Sequence, residues 1–100
     1  MSFGFQRFVL MIARKFFISG AVQGVGFRFF AQRSAARHQV RGYVQNLKDG
    51  RVEVLAEGTQ KAVDGFHLDL GAGPRFSRVT QVEELVVDPS GLYSTFRVER

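Results

Sequence analysis

The sequence predicts an α+β sandwich, with two helices on one face of a mostly antiparallel sheet in the order β-α-β-β-α-β and one additional strand. Three observations carry that expectation. Apolar residues recur at helical spacing in two windows, Phe27 to Arg37 and Thr59 to Leu70. Between those windows, Asp49-Gly50 separates two β-rich runs and signals a hairpin. The alternation from Arg14 onward has no linker, repeat or low-complexity stretch, and 100 residues, 45% of them hydrophobic, fit one packed core.

The elements follow in order. Lys15 to Ser19 is a short aromatic and β-branched run that ends at Gly20, as expected of a strand delivering a loop. In the first helix Phe27, Phe30, Ala31, Ser34 and Ala35 share one face and leave a cationic side outward. Gly42 to Leu47 and Arg51 to Glu57 form the hairpin arms around Lys48-Asp49-Gly50, with both Asp49 and Gly50 expected to accept positive φ. In the second arm Val52, Val54 and Ala56 alternate with Glu53, Leu55 and Glu57, the pattern of a strand with one covered face. Thr59 is placed to cap the second helix, which directs Val63, Phe66 and Leu70 inward and stops at Gly71-Ala72-Gly73-Pro74. Val79 to Val87 is a further strand, Asp88-Pro89-Ser90-Gly91 a turn, and Thr95 to Glu99 a last strand with Phe96 and Val98 on one face. This is the order of a ferredoxin-like sandwich, whose second sheet face carries no helices and is expected to be open to ligands.

The segment Gly20-Ala21-Val22-Gln23-Gly24-Val25-Gly26-Phe27-Arg28 has the composition of an anion cradle. Glycine reaches backbone conformations that a Cβ forbids, so Gly20, Gly24 and Gly26 let the chain turn and present bare N–H groups. The loop runs into a helix whose first N–H donors lack internal partners and whose dipole is positive at that end. Arg28 adds a guanidinium fork suited to a phosphoryl group. The expected phosphate donors are the backbone amides of Gln23, Gly24, Val25, Gly26, Phe27 and Arg28. Asn46, at the end of the strand before the hairpin, is placed to face the same anion. The loop is neither a dinucleotide-binding nor a Walker loop, because a further glycine at the required spacing and a Gly-Lys-Ser/Thr are both missing.

Composition narrows the chemistry. Fourteen Lys and Arg against nine Asp and Glu give a net charge of +5, which attracts anions from phosphorylated metabolites to nucleic acid. The absence of Cys excludes a disulfide, a thiolate nucleophile and a zinc–thiolate site, and suits a cytoplasmic domain. His38 and His67 have no partner at metal-ligand spacing, so no metal is expected. Residues 1–13 read as an extension: Phe3, Phe5 and Phe8 are scattered without period, and the run from Phe8 to Ala13 is too short to span a membrane. Met11 as the true first residue accounts for the same facts. Residues 14–100 then form the functional domain, with a monomer as the default state.

The cradle, together with Gly42-Tyr43-Val44-Gln45-Asn46-Leu47-Lys48-Asp49-Gly50-Arg51-Val52-Glu53, Ala56-Glu57-Gly58 and Gly73-Pro74-Arg75-Phe76-Ser77-Arg78-Val79, resembles the acylphosphatase family. The likeness extends from about Arg14 to Arg100. It implies hydrolysis of small acyl phosphates to carboxylate and inorganic phosphate without metal or cofactor, with Arg28 binding the phosphate and Asn46 orienting the attacking water. Two departures stand out. His38-Gln39 replaces an apolar residue and a glycine that favours the left-handed conformation, and Gln45 replaces a residue that is often basic.

Two rivals come from other classes. A ferredoxin-like domain with net positive charge and eleven Phe residues would suit RNA, but the strands lack paired stacking aromatics in their centre, which argues against nucleic acid. A non-catalytic module regulating a larger assembly is the second; the free-standing length and the joint presence of Arg28 and Asn46 argue against it. Phe16, Phe17, Phe27, Phe30 and Phe66 are expected in the core, whereas Phe29 falls off the apolar face.

Overall fold

The computed structural model describes residues 10–100. Its elements are β1 (Met11–Ala21), α1 (Phe27–His38), β2 (Arg41–Asn46), β3 (Val52–Thr59), α2 (Gln60–Ala72), β4 (Arg78–Val87) and β5 (Phe96–Val98). The strands lie in the order β4-β1-β3-β2-β5. Every pairing is antiparallel except that of β2 with β5. β3 is therefore inserted between β1 and β2, which run parallel and end on the same side of the sheet. Helix α1 packs over β2 and β5, and α2 over β1, β3 and β4. This is the expected ferredoxin-like sandwich, with β5 as the additional strand.

Between helices and sheet lies one core. Phe16, Ile18, Val44, Val52, Val54 and Ala56 from the strands meet Phe27, Ala31, Ala35, Val63, Phe66 and Leu70 from the helices. Full burial of one of the larger side chains contributes about 1.5–3 kcal/mol. Phe66 also stands edge-on to Phe96 at 5.5 Å, tying β5 to the centre. Phe17 departs from expectation: it lies on the opposite face, where the Arg51 guanidinium sits 5.0 Å from its ring centroid.

Several boundaries and turns differ from those expected, each for a local reason. β1 begins at Met11, so Met11, Ile12 and Ala13, assigned above to the extension, pair with Thr59, Gly58 and Glu57 of β3. Phe3, Phe5 and Phe8 lie outside the described residues. In the loop joining β2 to β3 only Gly50 takes positive φ, at 95°. Leu47 N–H donates to Arg51 O at 2.8 Å, closing a three-residue loop rather than a two-residue Asp-Gly turn. Asp49 instead accepts from the Arg51 N–H at 3.0 Å and from its guanidinium at 2.9 Å. Helix α2 begins as expected, with the Thr59 hydroxyl accepting from Ala62 N–H at 3.1 Å.

The helix-free face of the sheet is not fully open. Residues 88–95 join β4 at one edge to β5 at the other, and they cross that face. Glu57 of β3 receives Ser90 and Gly91 there, and Tyr43 of β2 packs against Tyr93 with ring centroids 6.0 Å apart. Leu55 and Glu57 are consequently buried on a side that alternation alone assigned to solvent, and Ala13, paired with Glu57, is buried there too.

The two helices are joined by Asp69, which accepts from Ser34 Oγ at 2.6 Å, Arg37 Nη2 at 2.7 Å and His38 Nε2 at 3.0 Å. The Ser34 bond, reinforced by those from Arg37 and His38, holds the Asp69 carboxyl below its ordinary value against the opposing effect of burial. Its stabilising contribution is complete above the ordinary value of 3.8 and is lost as pH falls through the lower folded value. In a pH series of melting temperatures, Asp69→Asn flattens the decline below about pH 4.

Gln39 ends α1 at φ 60° and ψ 43°, the left-handed conformation, and its N–H reaches the carbonyls of Ala35 and Ala36. A β-carbon there is strained by about 1–2 kcal/mol relative to glycine. Gln39→Gly is expected to stabilise the fold by about 1 kcal/mol, raising the melting temperature by about 4–8 °C in a thermal denaturation experiment.

Candidate active site

The ends of β1 and β2 meet at one pole of the molecule. β1 delivers the loop of residues 22–26, and β2 ends at Asn46. Val22 and Phe27 are buried on either side of that loop and anchor it in the core. Gly24 and Gly26 between them take φ values of 75° and 76°, with open space where a β-carbon would project. Their conformation, not crowding, calls for glycine.

Gly20 serves a different purpose from the one expected. It lies within β1 at a register shift against β4, and a β-carbon there would fall 2.0 Å from the Arg78 carbonyl oxygen. Gly20 lets two strands approach; it does not shape the cradle.

The two helices begin in contrasting ways. α2 has its Thr59 side-chain cap, whereas α1 starts from Gly26 with no side-chain cap; neither helix has an acidic residue in its first turn. A glycine at this position in place of a Ser, Thr, Asn or Asp cap costs a helix only a few tenths of a kcal/mol. Among the described residues, the amides of Gln23, Gly24, Val25 and Gly26 donate to no protein acceptor. Those of Phe27 and Arg28 lie in the first helical turn, where no intrahelical acceptor exists. The pole thus gathers six amides without protein acceptors at the positive end of a helix, an arrangement of the kind that suits an anion.

Gln23 does more than lend its amide. Its side-chain Nε2 donates to Leu47 O at 2.7 Å and Arg51 O at 2.9 Å, fastening the loop to the hairpin that follows Asn46. Asn46 shares the parity of Val44, whose side chain is buried beneath α1, so it lies on the helix-facing side of β2. It is exposed there and pairs with Val52 in the ladder.

Arg28, in the first turn of α1, donates from Nη1 to the Glu99 carbonyl at 2.9 Å. One edge of its guanidinium is thereby oriented, and it forms no ion pair among the described residues. Neighbouring cations are otherwise occupied: Arg51 with Asp49, and Arg97 with the Glu99 carboxylate at 3.3 Å. The Asp49 carboxyl is held below its ordinary value by the Arg51 backbone N–H and then by the Arg51 guanidinium. Phe29 is exposed on the outer side of α1. Sequence had no means of finding the Glu99 acceptor or the Gln23 tether, because each joins residues more than twenty positions apart. Among the described residues no three His, Asp or Glu side chains converge as a metal-ligand set.

Fold and pole together define a small α+β sandwich with a loop of unpaired amides at the end of its parallel strand pair. The pattern that defines the Acylphosphatase family matches residues 14–98, and the chain belongs to that family. It is 42% identical over 90 residues to the acylphosphatase of Actinobacillus succinogenes, covering 90% of this chain and all of that one. The crystal structure of acylphosphatase from Bacillus subtilis superposes with a TM-score of 0.86 at 35% identity, over 89% of this chain and 99% of that one. The same unit occurs within a longer protein: full-length HypF in its phosphate- and nucleotide-bound form matches at a TM-score of 0.84 and 26% identity, over 94% of this chain and 12% of that one. The protein is thus a hydrolase acting on acyl phosphates, which are small molecules. Among the described residues no helix is long and apolar enough to cross a membrane.

Gln23→Ala removes two bonds, each worth about 1 kcal/mol, while both hairpin carbonyls keep a backbone donor. The expected result is a loss of about 1–2 kcal/mol in denaturant unfolding together with weaker binding of inorganic phosphate, measured by calorimetric titration.

Proposed function

We propose that this acylphosphatase works by in-line attack of water on a phosphoryl group held by Arg28 and the amides of residues 23–28, with Asn46 orienting the water. The observation that carries this reading is the uncapped start of α1, whose unpaired amides lie beside a guanidinium already oriented from behind by Glu99.

The reaction asks little else of the protein. The bond between phosphorus and the acyl oxygen breaks as that between phosphorus and water forms. A carboxylate departs, and carboxylic acids have pKa values around 4, so it leaves as a stable anion at neutral pH. No strong general acid is needed, and the water's protons end on phosphate. What remains is to hold the phosphoryl group, neutralise its developing charge and align the nucleophile. Arg28 can grip two phosphoryl oxygens at once, which a lysine cannot. The Asn46 carboxamide accepts from water through its oxygen and donates through its NH₂. No metal or cofactor enters this scheme.

The contacts proposed all address phosphate, so the enzyme is expected to accept a range of acyl groups. It is proposed to act as a cytoplasmic monomer. Turnover of benzoyl phosphate in the presence of a chelator tests the scheme. Arg28→Ala is expected to lower kcat/KM by about 10³-fold and to weaken phosphate binding, with Arg28→Lys recovering little. Asn46→Ala is expected to lower kcat by about 10²-fold while leaving phosphate affinity close to that of the parent. Wild-type kinetics in either variant would remove that residue from the mechanism.

A further inference from the structure

We propose that Glu57 is a positioning residue for the reaction: it pins residues 88–95 across the helix-free face of the sheet and so fixes β5, whose far end orients Arg28. The inference rests on the role given to Arg28 above.

The topology sets the problem. β4 and β5 are the two edges of the sheet, with β1, β3 and β2 between them. Four interstrand spacings make about 19 Å to cross, and eight residues reach at most about 29 Å. The crossing segment is long enough to span the sheet, but it contains no helix or strand of its own to fix its path.

Its midpoint is held by one carboxylate. Glu57, on the central strand and only 4% exposed, accepts from Ser90 N–H at 2.9 Å, Ser90 Oγ at 2.7 Å and Gly91 N–H at 3.2 Å. Ser90 Oγ accepts in turn from Leu92 N–H at 3.1 Å. Burial alone would raise the Glu57 carboxyl, yet these bonds outweigh it and hold it below its ordinary value. Beyond the clamp, Tyr93 packs on Tyr43 and lies under the Arg97 guanidinium.

The strap then hands the chain to β5. Gly42 N–H donates to Thr95 O at 3.1 Å, three residues pair with β2, and Glu99 N–H donates to Val44 O at 2.8 Å. At that point the Glu99 carbonyl receives Arg28. Phe96 secures the start of β5 in the core, and Glu57 sets the direction from which the chain arrives. A three-residue edge strand has few bonds with which to resist a shift in that approach.

The test compares Glu57→Gln, which puts an amide donor where Ser90 and Gly91 need acceptors, with Ser90→Ala, which removes a single bond. Each is made alone and combined with Arg28→Ala. Inorganic phosphate affinity is measured by calorimetric titration and benzoyl phosphate kinetics are followed below the melting temperature of every variant. Glu57→Gln is expected to weaken phosphate binding and lower kcat/KM by about fivefold, and Ser90→Ala to shift both less in the same direction. Neither should weaken phosphate binding further in the Arg28→Ala protein. If Glu57→Gln fails to fold, the Ser90→Ala pair decides alone. Unchanged phosphate affinity in the single variants, or an equal loss with and without Arg28, overturns the proposal. Unchanged phosphate affinity in Arg28→Ala itself would instead overturn the role assigned to Arg28.

Discussion

The insertion of β3 between β1 and β2 is the constraint on which the rest of this structure depends. It makes the outer two strands parallel, so the loop after β1 and the last residue of β2 arrive at the same pole. It also leaves that loop a full strand width from Asn46, a gap of about 10 Å between β1 and β2 that the backbone alone does not close. Gln23 reaches across it. Its single amide nitrogen takes both hairpin carbonyls, so the loop of residues 22–26 is tied directly to the hairpin that follows Asn46. A site assembled from two loops gains precision when they share a bond and not merely a neighbourhood.

Stability has been withheld from that pole and supplied elsewhere. The two helices are similar in length, yet only α2 carries a side-chain cap. Capping α1 with Ser or Asp would give its first amides a resident acceptor, and an Asp would add negative charge where the phosphoryl group is proposed to bind. Gly26 avoids both at some cost to the helix. The offset is visible at the opposite pole and in the core. Asp69 gathers Ser34, Arg37 and His38 into one joint between the helices, and His38 lies so close to Gly65 that a β-carbon there would fall 2.6 Å from its ring.

Much of this was legible in the sequence because it is written in local pattern. Period and punctuation gave the order of elements, the Thr59 cap and the inward faces of both helices. They also placed Gly24 and Gly26 in a loop, and Gln39 where a left-handed residue was expected. What was not legible depends on partners distant in the chain. Gly20 resembles the other loop glycines, and only the approach of β4 shows that it makes room for a neighbouring carbonyl. Met11 to Ala13 lack strand alternation because Ile12 packs against the core on one face while Ala13 is fully buried on the other. Glu57 reads as the solvent side of an alternating strand. Its carboxylate is buried by residues thirty-three positions later.

The crossing segment also explains why a fold shared with RNA-binding domains does not present the surface they use. Such domains stack bases on aromatics displayed on the helix-free face. Here Tyr43, the aromatic of β2 on that face, is packed against Tyr93 and bonded through its hydroxyl to Glu53. Its burial, and then that bond, raise the phenol well above its ordinary value. Phe17, the aromatic of β1, is capped by Arg51. Both rings are occupied within the protein, and Glu53 adds negative charge between their strands. Positive charge on that face comes from Lys15, Arg41 and Arg97, of which Arg97 is paired with Glu99 and lies over Tyr93. At the pole formed by the parallel pair, unpaired amides adjoin the Arg28 guanidinium, a combination that suits the compact phosphoryl group proposed to bind there more than an extended polyanion.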